Sequence, residues 1–393
     1  MTTFDELGLQ PTLLRALRDL KFTAPTPIQA LSIPPALQGR DILASAQTGS
    51  GKSAAFGLPI IQLLLDRPRG KTQALILAPT RELAEQICVH LGALSKHTDL
   101  RIAAVYGGVG FGKQIDAFKR GTEIIVATPG RLMDHMRSGN VRLNNVSMLV
   151  LDEADRMLDM GFLPAVRRLL ESLPKIRQTF FFSATLPPAI SVLVRDMLDN
   201  PVKVELAIEN RAVDTLTQRI YSVPQESKTQ LLVELLKDND IYSAIAFTRT
   251  KSRANRLAAV LQKNNVPTDL IHGDRSQSQR TRALDNLKRG KCRILVATDI
   301  AARGIDIAEL GHVINYDVPL AAEDYIHRIG RTARAQAKGE AITFVASEEE
   351  SLIRGIEFAL GHRLERTINP LFPEASIAPP KPKVIYRSRT RRR

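Results

Sequence analysis

Ala46-Gln-Thr-Gly-Ser-Gly-Lys-Ser53 lies between a short run from Asp41 to Ala44 that ends apolar and a helix-like stretch from Ala54 to Leu65. Gly49 and Gly51 let the backbone turn tightly, so that successive N–H groups point into one concavity. The helix that follows adds its positive N-terminal end. Such a loop binds phosphate through Thr48, Gly49, Ser50 and Gly51, with Lys52 reaching the β- and γ-phosphates of a nucleotide and the Ser53 hydroxyl holding Mg²⁺. The usual pattern opens with Gly where this chain has Ala46, and a methyl is tolerated there if φ is negative. A Gly/Ser turn that merely precedes a lysine is the alternative; the order strand, loop, helix favours the phosphate reading.

Outward from this loop the apolar runs end in a recurring way. Ala74-Leu-Ile-Leu-Ala78 stops at Pro79-Thr-Arg81, Ile124-Ile-Val-Ala127 at Thr128-Pro-Gly-Arg131, Met148-Leu-Val-Leu151 at Asp152-Glu-Ala-Asp155, and Phe180-Phe-Phe182 at Ser183-Ala-Thr185. Short apolar runs separated by helical stretches predict an α/β fold whose parallel sheet is covered on both faces, with ligands at the carboxyl ends of the strands. The pattern lapses between Val204 and Asp214, then resumes in Ala244 to Phe247, Asp269 to Ile271, Arg293 to Ala297, His312 to Asn315 and Ala341 to Val345. The expected organisation is a nucleotide-binding domain over 1–205, a linker over 206–213, a second copy of the architecture without a phosphate loop over 214–368, and a tail over 369–393.

A chain of 393 residues is long enough for two cores. No apolar run approaches the eighteen or so residues that span a bilayer, and the first residues lack the basic and apolar regions of a signal peptide, so a cytoplasmic protein is expected. Cys88 and Cys292 are the only cysteines, read as small buried residues. The net charge of +14 points to a polyanionic partner. Lys381, Lys383, Arg387, Arg389, Arg391, Arg392 and Arg393 crowd the last thirteen residues without an acid. Such a tail attracts nucleic acid, and a solvated end with no specific role is its alternative.

Asp152 and Glu153, at the end of an all-apolar strand, are the expected partners of Mg²⁺ and of an attacking water. Asp152 binds the metal through its waters, and Glu153 orients the water or takes its proton. Alone, the pair reads better as an acidic helix N-terminus, stabilised by the helix dipole. Together with the phosphate loop, Asp152-Glu-Ala-Asp155 makes the chain resemble a DEAD-box RNA helicase over nearly all its length up to the tail. Among bacterial branches the compact core and short leader are most similar to the RhlE type.

The resemblance implies two tandem RecA-like domains and an RNA-stimulated ATPase using ATP and Mg²⁺. Phe22 through Gln29 matches the family's Q motif, with Lys21 where Gly is usual; Phe22 is then expected to stack on adenine and Gln29 to bond its edge, as a side-chain amide can. Thr80, Arg81, Gly107, Gly108, Thr128 and Arg131 match motifs that hold the RNA sugar-phosphate backbone without reading sequence. Ser183 and Thr185 match the motif coupling ATP state to strand separation; a capping pair before Pro187 and Pro188 is the structural alternative. In the second half Arg249, Gly273 and Thr298 are implied RNA contacts, Asp306 a ribose contact, and His327-Arg-Ile-Gly-Arg-Thr-Ala-Arg334 the catalytic run. Arg331 and Arg334 act there as arginine fingers on the γ-phosphate, delivered from the second domain.

Arg328, Arg331 and Arg334 recur every third residue, which a helical turn would place on one side. The function expected is local, non-processive separation of short RNA duplexes or remodelling of RNA–protein complexes by a monomer, with an ATP-gated RNA clamp as the alternative. Ribosome-assembly or RNA-decay proteins are conceivable partners.

Overall fold

The computed structural model describes residues 2–45, 49–205, 216–237, 240–302, 310–332, 339–369 and 371. The described residues fall into two compact units, those up to 205 in one and those from 216 on in the other. The expected linker 206–213 and nearly all of the basic tail lie outside the described residues.

The first unit is a seven-stranded sheet of β1 (Ile42–Ser45), β2 (Ala74–Leu77), β3 (Ile102–Val105), β4 (Ile124–Ala127), β5 (Met148–Leu151), β6 (Gln178–Ser183) and β7 (Val202–Glu205). Its strand order is β3-β4-β2-β5-β6-β1-β7, and every pairing is parallel. The all-apolar strand sequences follow from burial on both faces. Alternation sends Phe180 and Phe182 into one core with Ile76 and Val150, and Phe181 into the opposite core with Leu75 and Leu149. Helices α1 (Pro11–Asp19), α2 (Pro27–Leu37), α3 (Lys52–Leu65), α4 (Arg81–Leu94), α5 (Gly112–Lys119), α6 (Pro129–Arg137) and α7 (Ala154–Asp159) connect or cover these strands.

The second unit repeats the architecture with β8 (Leu216–Ser222), β9 (Ala244–Thr248), β10 (Thr268–Ile271), β11 (Ile294–Thr298), β12 (His312–Asn315), β13 (Gly339–Val345) and β14 (Arg366–Thr367), in the order β10-β11-β9-β12-β13-β8-β14, again all parallel. Parallel pairing puts all carboxyl ends of one sheet along one edge. Ser45 lies beside Ser183 in register and Leu77 beside Leu151, so the phosphate loop, Asp152-Glu153 and Ser183 share that edge. Thr248 and Thr298 are register partners in the second sheet.

Cys88 is half-buried in α4, and Cys292 is buried two residues before β11. Burial pushes their thiols up to about 11 and about 12, which leaves them protonated and inert at neutral pH. No helix among the described residues is long and apolar enough to cross a membrane.

Candidate nucleotide and nucleic-acid sites

Helix α3 starts at Lys52 itself, and its N-cap is Gly51 at φ 95°. A side chain at Gly51 would be strained by that φ and would also collide, because an added Cβ lies 2.5 Å from Gln29 Nε2 and 2.8 Å from Thr26 Oγ1. The Q-motif segment is therefore packed onto the phosphate loop. Gln29 Nε2 donates to the Gly51 carbonyl at 3.1 Å, while its Oε1 accepts the Thr26 N–H at 3.0 Å as half of the capping box of α2. The amide expected to meet adenine is already fixed in orientation by these bonds. Phe22 is half-buried against the first core, with Phe4 stacked on it at 6.3 Å and His90 edge-on at 6.1 Å. Thr48 lies outside the described residues; Gly49, at φ 89°, and Ser50 lead into α3.

Asp152 is buried, and its Oδ1 has no hydrogen-bond partner among the described residues; the Lys52 ammonium stands 3.7 Å away. Burial pushes the Asp152 carboxyl up to about 6, against the opposing pull of Lys52. An orphaned buried carboxylate oxygen beside a phosphate loop is what a divalent cation would satisfy. Among the described residues no group of three or more His, Cys, Asp or Glu could hold a metal ion; a cation at Asp152 and Ser53 would draw its remaining ligands from water and phosphate.

Glu153 has φ 54° and ψ 52°, a left-handed conformation unusual for a long side chain, and its Oε2 accepts a 2.7 Å bond from the buried Arg156 guanidinium. Asp155 faces the other way. Its Oδ2 accepts the N–H groups of Ala184 and Thr185 at 3.1 and 3.0 Å and the Thr185 hydroxyl at 3.2 Å; the Asp155 N–H donates to Ser183 Oγ at 3.1 Å. Asp152-Glu-Ala-Asp155 and Ser183-Ala-Thr185 thus form one hydrogen-bonded unit. Asp155 and Arg156, not singled out from the sequence, are its joints; Asp155 was visible as the fourth letter of the motif, whereas Arg156 carried no signal until its burial was known.

At the same sheet edge, Thr80 caps α4 by accepting the Leu83 N–H at 3.2 Å, and Thr128 is the N-cap of α6 with no side-chain cap bond. Arg81 lies against Gly107 and Gly108; a Cβ on Gly108, at φ 82°, would meet Arg81 Nη1 at 1.9 Å. Arg131 donates to the Val109 carbonyl at 2.8 Å and stacks 4.1 Å from the Phe111 ring. These contacts bring Arg81, Gly107, Gly108 and Arg131 together. His135 braces them from behind: it is buried between Phe111 and Phe118, and Gln114 links its Nε2 to the Tyr106 carbonyl.

In the second unit Arg249, Gly273 and Thr298 follow or end β9, β10 and β11. Arg249 donates to Glu349 Oε1 at 2.8 Å and to the Val318 carbonyl at 3.2 Å. Gly273 lies under Lys251, whose Cε would be 3.3 Å from an added Cβ. His327 is half-buried in the helix Ala322–Ile329. The helix ends at Ile329 with Gly330 as C-cap, and Arg331 and Thr332 continue as i to i+3 turns onto Arg328 and Ile329, a tight turn that keeps residues three apart on one side. Arg328 is a structural tie, bidentate to Asp299 at 2.6 and 2.8 Å and bonded to Asn315 and the Asp317 carbonyl. Arg331 is buried, while Asp306 and Arg334 lie outside the described residues.

Residues 26–192 match the DEAD/DEAH box helicase family, and residues 227–336 match the helicase conserved C-terminal domain. The DEAD-box ATP-dependent RNA helicase CshA of Bacillus cereus is 41% identical over 375 residues, covering 95% of this chain and 71% of that protein. The chain belongs to the DEAD-box ATP-dependent RNA helicase family. The ATP-dependent rRNA helicase RRP3 of Eremothecium gossypii is 45% identical over 367 residues, 93% of this helicase and 75% of that one. Among solved structures, S. cerevisiae Dbp5 bound to RNA and ADP BeF3 matches with a TM-score of 0.84 at 33% identity, covering 96% of this chain and 98% of that one. Mss116p bound to ssRNA and AMP-PNP matches with a TM-score of 0.84 at 29% identity over 93% and 80%. As a DEAD-box helicase the protein is an RNA-stimulated ATPase that binds RNA, built from tandem RecA-like domains.

Proposed function

We propose that the protein uses ATP with Mg²⁺ to open short RNA duplexes locally and non-processively, or to remodel RNA–protein complexes. The observation that carries this reading is the buried, unbonded Asp152 Oδ1 with Lys52 at 3.7 Å, beside the crowded Gly51 loop. Asp152 and Ser53 would hold Mg²⁺, which would supply positive charge to the phosphates. Lys52 meets the β- and γ-phosphates, and Glu153 orients the attacking water and receives its proton. Arg331 and Arg334 stabilise charge developing on the γ-phosphate, a contribution of about 10³ to 10⁵ in rate for related phosphoryl transfers.

Arg81, Gly107, Gly108, Thr128 and Arg131 of the first unit, with Arg249, Gly273 and Thr298 of the second, grip the RNA backbone and read no sequence. Each base-pair step resists opening by roughly 1 to 2 kcal/mol, by analogy with DNA stacking, so only short duplexes are opened per ATP. The bonds from Asp155 to Ala184 and Thr185 offer a route by which the state of the phosphate site is felt at Ser183 and Thr185. The test is RNA-stimulated ATPase and short-duplex unwinding for Lys52→Ala, Glu153→Gln and Arg331→Ala: both activities should fall by at least tenfold in each. Near-normal unwinding in all three overturns the reading. ATP-dependent RNA retention without unwinding by the unmodified protein would favour a clamp.

A further inference from the structure

The second unit contains a charge cluster that the expected catalytic and RNA-binding motifs do not absorb. Lys228 is completely buried; its Nζ donates to Glu349 Oε2 and, at 2.9 Å, to the Tyr316 carbonyl. Asp317 is also completely buried, 3.8 Å from Lys228 Nζ and 2.8 Å from Arg253 Nη1. Glu349 accepts the Ala346 N–H through Oε2 and Arg249 through Oε1, and Asp317 accepts the Arg249 backbone N–H at 2.8 Å. Buried ions are expensive to keep unless geometry and hydrogen bonds compensate them, so an arrangement this complete holds its members in place.

Two features of the cluster point outward. It contains three cations, Lys228, Arg249 and Arg253, against two carboxylates, Asp317 and Glu349, and only Arg249 among them has as much as 36% of its side chain exposed. Among the described residues the guanidinium of Arg249 donates through Nη2 alone, shared between Glu349 and the Val318 carbonyl. A phosphate oxygen accepting from Nη1 would complete the charge count through a charge-assisted bond.

We propose that Glu349, held rigid by Lys228, is the positioning residue for Arg249, holding Nη2 of its guanidinium so that Nη1 is presented to an RNA phosphate. Glu349 does not touch the RNA. The proposal rests on Arg249 being an RNA contact, so the experiment must separate the two claims. Lys228→Met/Glu349→Leu removes one cation and one anion, leaves the net charge of the cluster unchanged, and replaces a buried ion pair by apolar groups, an exchange that is often tolerated.

The expected result for this pair, with single-stranded RNA in the full-length protein, is an RNA dissociation constant raised about five- to tenfold. The slope of log affinity against log salt stays the same, and kcat is retained at saturating RNA while the KM for RNA rises. Arg249→Ala raises the dissociation constant and lowers that slope by about 0.7, the value for one lost contact to a single strand. The triple variant binds no more weakly than Arg249→Ala alone, because there is then nothing to position. A second variant leaves the core untouched: Arg249→Lys keeps the charge but cannot bridge Glu349 and a phosphate as a planar fork, and should also weaken binding at unchanged slope. Positioning by Glu349 is overturned if the paired variant or Arg249→Lys binds as tightly as the unmodified protein, or if the losses multiply in the triple variant. Unchanged affinity and slope in Arg249→Ala instead removes Arg249 from the RNA site, a distinguishable failure of the underlying assignment.

Discussion

Individual residues carry costs visible in their backbone angles and burial. Lys21 occupies the position where the Q motif usually has Gly, and its φ is 58°. A non-glycine residue in the left-handed region costs about 1 kcal/mol, so Lys21→Gly should raise stability by about 0.5 kcal/mol once the extra freedom of glycine in the unfolded chain is counted, measurable by denaturant melts. Gly108→Ala does the reverse. It places a methyl on Arg81 at φ 82°, costs about 1 to 2 kcal/mol and weakens RNA binding by displacing the guanidinium. His135 is held below the ordinary imidazole range by burial and then by Arg131, and burial likewise lowers His272 and His312. The folded state therefore takes up protons later than the unfolded chain, and stability is lost as pH falls below about 6.5, by at most about 1.4 kcal/mol per pH unit for each histidine. Melts between pH 7.5 and 5.5 check the sign, and His135→Gln should reduce the slope.

At the scale of elements, similar Thr residues at strand ends carry different loads. The Thr80 hydroxyl caps α4, so Thr80→Ala should cost about 1 kcal/mol of stability; Thr128 makes no side-chain cap bond, and Thr128→Ala should cost little stability while lowering RNA affinity. Comparing melting and RNA titration for the two variants decides this. The apolar runs and their polar endings were legible in the sequence because a strand buried on both faces must be apolar throughout and must deliver its first polar residues at the sheet edge. The side-chain webs were not legible. Nothing in local composition distinguishes Arg328, a bidentate tie to Asp299, from Arg331, because the difference is made by residues far apart in the chain. The same holds for Lys228, which is completely buried yet reads as an ordinary surface lysine at the start of a helix.

For the whole molecule, two sheets of identical strand order carry different chemistry, one with a phosphate loop and one with arginines and a buried charge cluster. If the seven cations of residues 381–393 add affinity without sequence preference, their deletion should lower the salt slope of RNA binding, and an unchanged slope would show that the tail takes no part. The contact between Gln29 and Gly51 has a consequence of its own. The amide suited to recognising a purine edge is bonded at 3.1 Å to the residue that opens α3, with no room for even a methyl between them. Through that contact a misfit at the base would reach the peptide preceding Lys52. A guanine nucleotide should lose turnover as well as affinity, so that fidelity toward adenine is enforced in the rate constant and survives even when the competing nucleotide is in large excess.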